Sequence, residues 1–203
     1  AFSILAASVI AMTKDNLKAR LAYSTISQLS YITLGVALAS SMGILGGGLH
    51  VVMHAMGKIT LFMCAGSIYV ATHRTEISQM TGLGRRMPIT FIAFLIGALS
   101  IIGLPPLGGS WSKWLLMVGA VDAEHLFILG VLLVSSLLNV AYLLPLVAKG
   151  FFLSNDTDAE LAQSAEASPL VWGPPAATAF GCVVLFFYAG HIQDFLMPIV
   201  ATN

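Results

Sequence analysis

The fold of this chain is decided by a long apolar run that carries one lysine near its centre. The run reads Met42-Gly-Ile-Leu-Gly-Gly-Gly-Leu-His50-Val-Val-Met-His54-Ala-Met-Gly-Lys58-Ile-Thr-Leu-Phe-Met-Cys-Ala-Gly-Ser-Ile-Tyr-Val70. About 20 apolar residues are enough for a helix to cross a bilayer, so the run predicts one transmembrane helix. A cation at mid-depth costs roughly 3 to over 10 kcal/mol and survives where it faces protein or water. Lys58 is therefore the first candidate functional residue.

The composition of the chain indicates an integral membrane protein. Of its 203 residues, 58% are hydrophobic and 9% are charged, against about 25% charged residues in an average soluble domain. The mean hydropathy is +0.91, and the apolar runs are continuous, which favours helices over the alternating strands of an outer-membrane barrel. The formal net charge is zero, which argues against a nucleic-acid partner. Cys64 and Cys182 lie in apolar runs and are interpreted as packing residues.

Turn and cap residues divide the chain into an all-α, polytopic bundle of transmembrane helices. The polar turn Thr13–Asn16 offers N-cap residues, and Pro88 suits the first turn of a helix. The predicted helical segments are 1–12, 17–39, 42–71, 89–103, 110–121, 126–148 and 176–200. The first is apolar but too short to span, and no charged region precedes it. We interpret it as the end of a helix of a longer subunit and not as a signal peptide.

Three parts of the chain are expected from these segments. Residues 1–150 form the main transmembrane domain, residues 151–168 form a polar acidic loop, and residues 169–203 carry a last transmembrane helix. The loop contains four acidic residues and precedes the helix-breaking run Gly173-Pro174-Pro175, after which we expect the last span to begin.

The segment Gly103-Leu-Pro105-Pro106-Leu-Gly108-Gly109 interrupts an apolar stretch that is too long for one simple span. Paired prolines remove backbone donors and disfavour the helical conformation before them. We interpret the stretch as one transmembrane helix broken at Pro105-Pro106. Irregular backbone at membrane depth is buried in protein or lines a wet cavity, and broken helices often mark transport sites. The alternative is two separate elements that meet at a surface loop.

The distribution of charges supports a single crossing by the broken helix. If the broken helix crosses once, one face of the membrane receives Ser40, Ser41, Asp122 and Glu124 and no cation. If its two halves crossed separately, Lys149 would move to this face. The positive-inside rule places the other face in the cytoplasm. We expect a multi-pass protein of a bacterial cytoplasmic (inner) membrane. The cations of the other face are Lys14, Lys18, Arg20, Arg74, Arg85, Arg86 and Lys149.

His50, His54 and Lys58 lie four residues apart and therefore stack on one face of the predicted helix. Imidazole titrates near neutral pH, and a desolvated lysine can titrate well below its ordinary range, so the three groups can hold and pass protons. One alternative is a histidine pair that caps backbone groups and a lysine that pairs with an acid. A zinc site is disfavoured because no acidic or cysteine ligand shares the face, and we expect no metal site.

Lys113 is the second cation within a predicted span. It lies in Ser110-Trp-Ser-Lys113-Trp, directly after the Pro-Pro break, where water at the break could hydrate its ammonium. The alternative is a lysine that extends to the outer interface between Trp111 and Trp114. Lys18 and Arg20, by contrast, lie at the cytoplasmic end of a helix, and position alone makes them topology charges.

Two helices carry polar stripes at helical spacing. The first stripe includes Ser27 and Tyr31, and the second includes Ser135 and Asn139. Such stripes commonly make hydrogen bonds between helices, and here they could also order water that leads towards Lys58. The sequence contains no nucleophile triad, phosphate loop or cofactor motif, so no catalytic residue and no cofactor are expected.

Three motifs together resemble one family, the proton-pumping antiporter-like subunits of Mrp-type Na⁺/H⁺ antiporters, respiratory complex I and membrane-bound hydrogenases. They occur in the expected order over about residues 13–120, and the remainder matches in hydropathy. The overall pattern of the sequence looks closest to the D-type member of the Mrp antiporter subunits. The motifs are Asp15-Asn-Leu-Lys18-Ala-Arg20-Leu-Ala-Tyr-Ser-Thr-Ile-Ser-Gln-Leu-Ser-Tyr31, His50-x3-His54-Ala-x2-Lys58-x3-Phe62 and Gly103-Leu-Pro-Pro-Leu-Gly-Gly-x-x-Ser-Lys113.

The resemblance implies a fold of two inverted five-helix repeats, of which this chain matches the second, and a proton pathway. It implies that Lys58 is the central proton carrier with His50 and His54 as its relay. By the same resemblance, Lys113 exchanges protons with the outer side, and Lys18, the lysine of the Asp-x-Leu-Lys motif, also belongs to the proton pathway. Residues 1–150 would then be part of a proton-antiporter domain. The acid and lysine of the first repeat lie outside this chain, which is therefore not expected to transport alone.

Two departures from the family pattern bear on the subtype. Many complex I members have an acid directly after the last lysine, where this chain has Trp114, and Gly-Phe after the Pro-Pro turn, where it has Gly108-Gly109.

Three functions follow as hypotheses. The first is a proton-translocating subunit of a multisubunit Na⁺/H⁺ antiporter, with other subunits, protons and Na⁺ as partners. The second is a proton-pumping subunit of complex I or of a hydrogenase, which would belong to an NADH-quinone oxidoreductase without a redox site of its own. The third is a non-conducting structural subunit, which would have little reason to keep Lys58 and Lys113 buried.

Overall fold

The structure, a computed structural model, describes residues 1–153 and 165–201 and is an α-helical bundle in those residues. Short apolar helices flank longer ones, and two 3₁₀ turns lie between α3 and α4, at Ile77–Met80 and Leu83–Arg85. The α-helices are α1 (Phe2–Thr13), α2 (Leu17–Ala37), α3 (Ser41–Thr72), α4 (Pro88–Ile102), α5 (Gly109–Asp122), α6 (Leu126–Phe152) and α7 (Pro169–Ala201).

Side-chain caps and a proline start three of the helices, and the sequence predicted two of these starts, at Asn16 and at Pro88. The side chain of Asn16 accepts a hydrogen bond from the backbone N–H of Ala19 at 3.0 Å and starts α2. Ser40 accepts from the N–H of Gly43 at 3.1 Å and starts α3. Pro88 is the first residue of α4, where its missing N–H costs nothing.

Helix α3 is the centre of the bundle, because α2, α4, α5 and α7 all pack against it. Small residues permit the closest approaches. A Cβ at Gly119 of α5 would overlap the backbone nitrogen of Gly43, and one at Gly46 would lie 2.7 Å from that of Leu116. Backbones this close leave room for glycine alone. The buried face of α3 includes His50, His54 and Lys58.

Backbone contacts define two ends of the bundle. At one end, here called the cationic end, the N–H of Leu17 donates to Thr75, and the N–H of Gly82 donates to Lys149. At the opposite end, the Ser40 hydroxyl donates to the carbonyl of Gly119 at 3.0 Å. The expected cations of the cytoplasmic face lie in or beside the segments that meet at the cationic end.

The two ends show that α4 and α5 make one crossing. Helix α4 begins beside Gly82 at the cationic end, and α5 approaches Ser40 at the opposite end. Residues 103–108 join the two helices without helical structure. Gly103 ends α4 with φ of 92°, a left-handed conformation that favours glycine. The predicted broken helix at Pro105-Pro106 is confirmed, and the alternative of a surface loop is wrong.

The last helix begins earlier than expected. We predicted its start at residue 176, after two prolines, but α7 begins at Pro169 and contains Pro174 and Pro175. Pro175 has no N–H for the carbonyl of Val171, and the hydroxyl of Ser67 on α3 donates to that carbonyl at 3.1 Å instead. A tertiary contact thus replaces the bond that the proline removes. The predicted acidic loop falls largely on residues 154–164, which lie outside the described residues.

Among the residues that the structure describes, three helices are individually long and apolar enough to cross a membrane, namely Ser41–Thr72, Leu126–Phe152 and Pro169–Val200. Helix α2 has 21 residues, but its polar stripe and its terminal cations lower its hydropathy. The protein is an all-α helical membrane bundle, as the composition predicted.

Candidate functional site

Lys58 lies inside the bundle and its ammonium contacts α2. It is 5% exposed. The ammonium donates to the hydroxyl of Ser24 at 2.6 Å and to the backbone carbonyl of Leu21 at 3.3 Å. Both acceptors are uncharged. Within the described part of the chain no carboxylate pairs with Lys58, so the alternative of a lysine that pairs with an acid finds no support there.

A chain of hydroxyl groups continues from Lys58 into α6. The Ser24 hydroxyl lies 2.8 Å from the phenol oxygen of Tyr142. The Tyr142 hydroxyl donates to the side-chain oxygen of Asn139, so it accepts from Ser24. With Lys58 charged, every bond in this chain therefore runs from Lys58 towards Asn139. Hydroxyl groups can reverse such a chain by rotating, since each is both donor and acceptor.

The two histidines stack on the same face of α3 as Lys58. Their ring centroids lie 5.8 Å apart, and the ring of His50 stacks on that of Tyr31 at 5.4 Å. The Nδ1 atom of His50 lies 2.9 Å from the hydroxyl of Ser112 on α5. The Nε2 atoms of His50 and His54 are buried without a protein partner among the described residues. The predicted stacking is present, and no capping of backbone groups by these side chains is seen in the described part of the chain.

Lys113 points back to the helix break. It is 5% exposed, and its ammonium donates to the carbonyl of Ile102 at 3.0 Å and to the hydroxyl of Ser136 at 3.1 Å. It also lies 5.0 Å from the centroid of the Tyr31 ring, within the range of a cation–π contact. The side chain is therefore buried in the bundle and does not extend to the interface between Trp111 and Trp114. Its acceptor at Ile102 is a carbonyl that α4 leaves unpaired at its C-terminus.

A pocket of about 890 Å³ opens beside the break, between α4, α5 and α6. Its wall is mainly apolar, with the polar side chains of Lys113, Ser110 and Ser136 among the lining groups. Trp111 and Trp114 also line it and are exposed. The broken helix thus places a buried ammonium next to an open cavity, as expected for irregular backbone at membrane depth.

The predicted polar stripes meet around a serine that sequence reasoning missed. Ser8 of α1 lies 2.9 Å from Ser27 and 3.4 Å from Ser135, oxygen to oxygen. Tyr31 and Asn139 are buried one turn further along the same helices. A single serine in a short apolar segment gives no periodic signal, so Ser8 could not be found from its own helix. Ser112 lies in the motif before Lys113, but nothing in that motif indicates its contact with His50.

Lys18 is not part of this buried group. Its side chain is exposed at the cationic end, and its ammonium lies 5.1 Å from the centroid of the Tyr69 ring. Its neighbour Arg20 is half-buried and donates to the carbonyl of Tyr142 at 3.0 Å. The structure therefore joins Arg20, and not Lys18, to the hydrogen bonds around Lys58.

Five buried side chains of the bundle interior, Gln28, Tyr31, His50, His54 and Asn139, are here called the polar band. Each has at least one polar atom without a hydrogen-bond partner among the described residues. Buried polar groups are ordinarily paired with protein or with ordered water. An unpaired set along one band is therefore suited to hold water or a moving proton. The atoms are both amide atoms of Gln28, the Tyr31 hydroxyl, Nε2 of His50 and His54, and Nδ2 of Asn139.

In the residues that the structure describes, no three His, Cys, Asp or Glu side chains are grouped closely enough to hold a metal ion.

Comparison with known proteins gives one family. Residues 1–139 match the family described as NADH:quinone oxidoreductase/Mrp antiporter, transmembrane. The chain is 38% identical over 151 residues to NADH-quinone oxidoreductase subunit N of Desulforudis audaxviator, which covers 74% of this chain and 30% of that protein. It is 32% identical over 200 residues to subunit L of Rickettsia bellii, covering 98% of this chain and 30% of that protein.

Solved structures give the same fold. A chain of the Mrp complex from Dietzia sp. matches with a TM-score of 0.88 at 22% identity, over 98% of this chain and 45% of that one. A chain of respiratory complex I from Thermus thermophilus with bound NADH matches with a TM-score of 0.85 at 25% identity, over 98% and 41%. The chain spans about a third of the length of the curated relatives that it matches. It belongs to the family of membrane subunits shared by NADH:quinone oxidoreductases and Mrp antiporters.

Proposed function

We propose that the protein containing this chain translocates protons across a membrane as one subunit of a multisubunit complex, with Na⁺/H⁺ antiport as the overall process. The pathway runs through His50, His54, Lys58 and Lys113. One observation carries the proposal, namely that both buried ammonium groups are held by uncharged oxygens. A lysine in a salt bridge leaves a buried carboxylate unpaired when it loses its proton. Lys58 and Lys113 can exchange protons without that cost.

The remaining predicted groups have supporting roles in this proposal. Four side chains of the predicted stripes lie in or beside the polar band and would order water between the lysines. They are Ser27, Tyr31, Ser135 and Asn139. Lys18 lies at the cationic end, where it would attract anions and orient the subunit. The proposed location is a bacterial cytoplasmic membrane, with the cationic end on the cytoplasmic side. Subunits of multisubunit membrane complexes share the fold, which supports neighbouring subunits as partners.

The substitution Lys58→Met tests proton translocation in the assembled complex. The change keeps the approximate length of the side chain and removes its proton-carrying group, so we expect proton movement in inverted membrane vesicles to fall to background. Lys149→Met is the matched control, because it removes a cation from the cationic end of α6 and should leave transport unchanged. Proton movement that persists in Lys58→Met complexes of normal abundance would contradict the proposal.

A second candidate is a proton-pumping component of a complex that NADH oxidation drives, and the names of relatives such as subunit N and subunit L favour it. The two candidates differ in what drives the proton. An antiporter moves protons in vesicles when a Na⁺ gradient is imposed without a respiratory substrate. A complex I subunit moves them when NADH is added and does not respond to the Na⁺ gradient. Both responses should disappear in Lys58→Met, so the driving force, and not the site, decides between them.

A further inference from the structure

Arg20 connects three helices on the side of the polar band that faces the cationic end of the bundle. Its Nε donates to the carbonyl of Lys14, which follows α1, at 2.8 Å. One of its terminal nitrogens donates to the carbonyl of Tyr142 on α6 at 3.0 Å. The guanidinium is planar and holds its donors in a fixed fork, so two carbonyls held at once define its position. This is more than a topology charge requires.

The carbonyl of Tyr142 lies in the turn of α6 that precedes Pro145. Pro145 is inside this helix and has no N–H for the carbonyl of Ala141, the residue before Tyr142. A proline ring also pushes the preceding turn open. The Arg20 donor therefore meets the α6 backbone in the turn before Pro145, next to the Ala141 carbonyl that the proline leaves without an intrahelical donor.

Tyr142 is thereby attached to α2 at two places. Arg20 bonds its backbone, and Ser24, one helical turn further along α2, bonds its hydroxyl. The same Ser24 hydroxyl accepts from Lys58. The bond from Ser24 to Tyr142 leaves a lone pair of the Ser24 oxygen for the ammonium. The position of Tyr142 thus determines which way the Ser24 hydroxyl faces when Lys58 is charged.

We infer that Arg20 is a positioning residue for proton exchange at Lys58. It fixes Tyr142 against α2, and Tyr142 orients the Ser24 hydroxyl that holds the Lys58 ammonium. Arg20 itself does not carry the proton. The inference rests on the proposed proton translocation and adds to it a residue that neither the histidine relay nor the broken helix includes.

The substitution Arg20→Lys tests the inference while it keeps the positive charge. A lysine ammonium at the end of a flexible stem cannot reproduce the fork to both carbonyls. We expect the initial rate of proton movement in vesicles, normalised to the amount of assembled complex, to fall about fivefold, the equivalent of one hydrogen bond. Arg85→Lys is the matched control. Arg85 also donates from Nε to a backbone carbonyl of α6, that of Phe151 at 2.7 Å, at a distance from the polar band. Its substitution should not change the rate.

A double substitution separates positioning from a general structural role. If Arg20 acts through the Tyr142 hydroxyl, then Arg20→Lys should cause little further loss in a Tyr142→Phe background. Equal fold-losses of rate in both backgrounds would overturn the inference, and so would wild-type rates in Arg20→Lys. Lys58→Met is measured in parallel. If it retains transport, the proposed function fails and the inference fails with it. If it is inactive while Arg20→Lys is normal, the inference alone fails.

Discussion

Each lysine of the candidate site lies inside the bundle and depends on one serine hydroxyl and one backbone carbonyl. Lys58 bonds to Ser24 and to Leu21, and Lys113 bonds to Ser136 and to Ile102. A hydrogen bond to a charged group contributes about 1.5–3 kcal/mol, less than the cost of burying an isolated ammonium. The sites therefore need further solvation, and the unpaired polar atoms beside them provide places for water.

The substitution Ser24→Ala should weaken the protein and its transport together. It removes the hydroxyl that Lys58 contacts at 2.6 Å, at an expected cost of about 1–3 kcal/mol. Ser30→Ala is the control on the same helix, because the exposed Ser30 hydroxyl bonds to its own turn at Ile26. Thermal unfolding of the purified protein in detergent checks the stability. Equal melting temperatures for the two variants would contradict the assigned contact.

At the scale of the helices, the break between α4 and α5 brings two backbones into direct contact. A Cβ at Gly109, the first residue of α5, would overlap the carbonyl oxygen of Ser100 in α4. This contact holds the start of α5 against the end of α4, where Lys113 reaches the free carbonyl of Ile102. The break is therefore a closely packed part of the site. Glycine is required at position 109 because any side chain there would overlap the backbone of Ser100.

The substitution Gly109→Ala should separate the two half-helices. The added methyl group overlaps backbone that cannot move aside as a flexible side chain would, and overpacking of this kind costs about 1–3 kcal/mol. Gly130→Ala in α6 is the control, since a Cβ there meets nothing within 4 Å, and alanine in a helix stabilises by about 0.5–1 kcal/mol. Melting temperatures should move in opposite directions. A stabilised Gly109→Ala protein would show that α5 does not cross α4 this closely.

At the scale of the whole molecule, the Lys and Arg residues outside the bundle interior lie at one end. The loop before α2, the segment between α3 and α4, and the end of α6 meet at the cationic end. The turn at Ser40 and the end of α5 meet at the other. This arrangement requires α4 and α5 to cross once, and it sets the direction of the proposed proton pathway relative to the two ends.

Single cysteines should report these two faces. Gln79→Cys lies at the cationic end and His125→Cys follows α5, and both positions are exposed. A membrane-impermeant maleimide added to intact cells should label His125→Cys and leave Gln79→Cys unlabelled until the cells are opened. The unsubstituted chain is the control, because Cys64 and Cys182 are buried. Labelling of both positions from the same side would contradict the single crossing.

Much of the site could be predicted because membrane burial makes ionisable residues conspicuous. The spacing of His50, His54 and Lys58 defined their common face, and the paired prolines located the break. The acceptor of Lys58 could not be predicted, since a polar stripe on α2 identifies a face but not the residue that lies at the depth of the lysine. The sequence also could not predict that Lys18 is exposed while Arg20 contacts α6, because both are cations at the same helix end.

The sequence by itself determined the membrane class, the helical fold, the broken helix and the family, because each depends on local properties: hydropathy, backbone donors and motif spacing. Only the tertiary structure decided where each buried polar group finds its partner. Ser67 bonds the carbonyl freed by Pro175, Ser24 bonds Lys58, and the end of α4 bonds Lys113. These partners lie on other helices, and their choice depends on how the helices pack, which no single segment encodes.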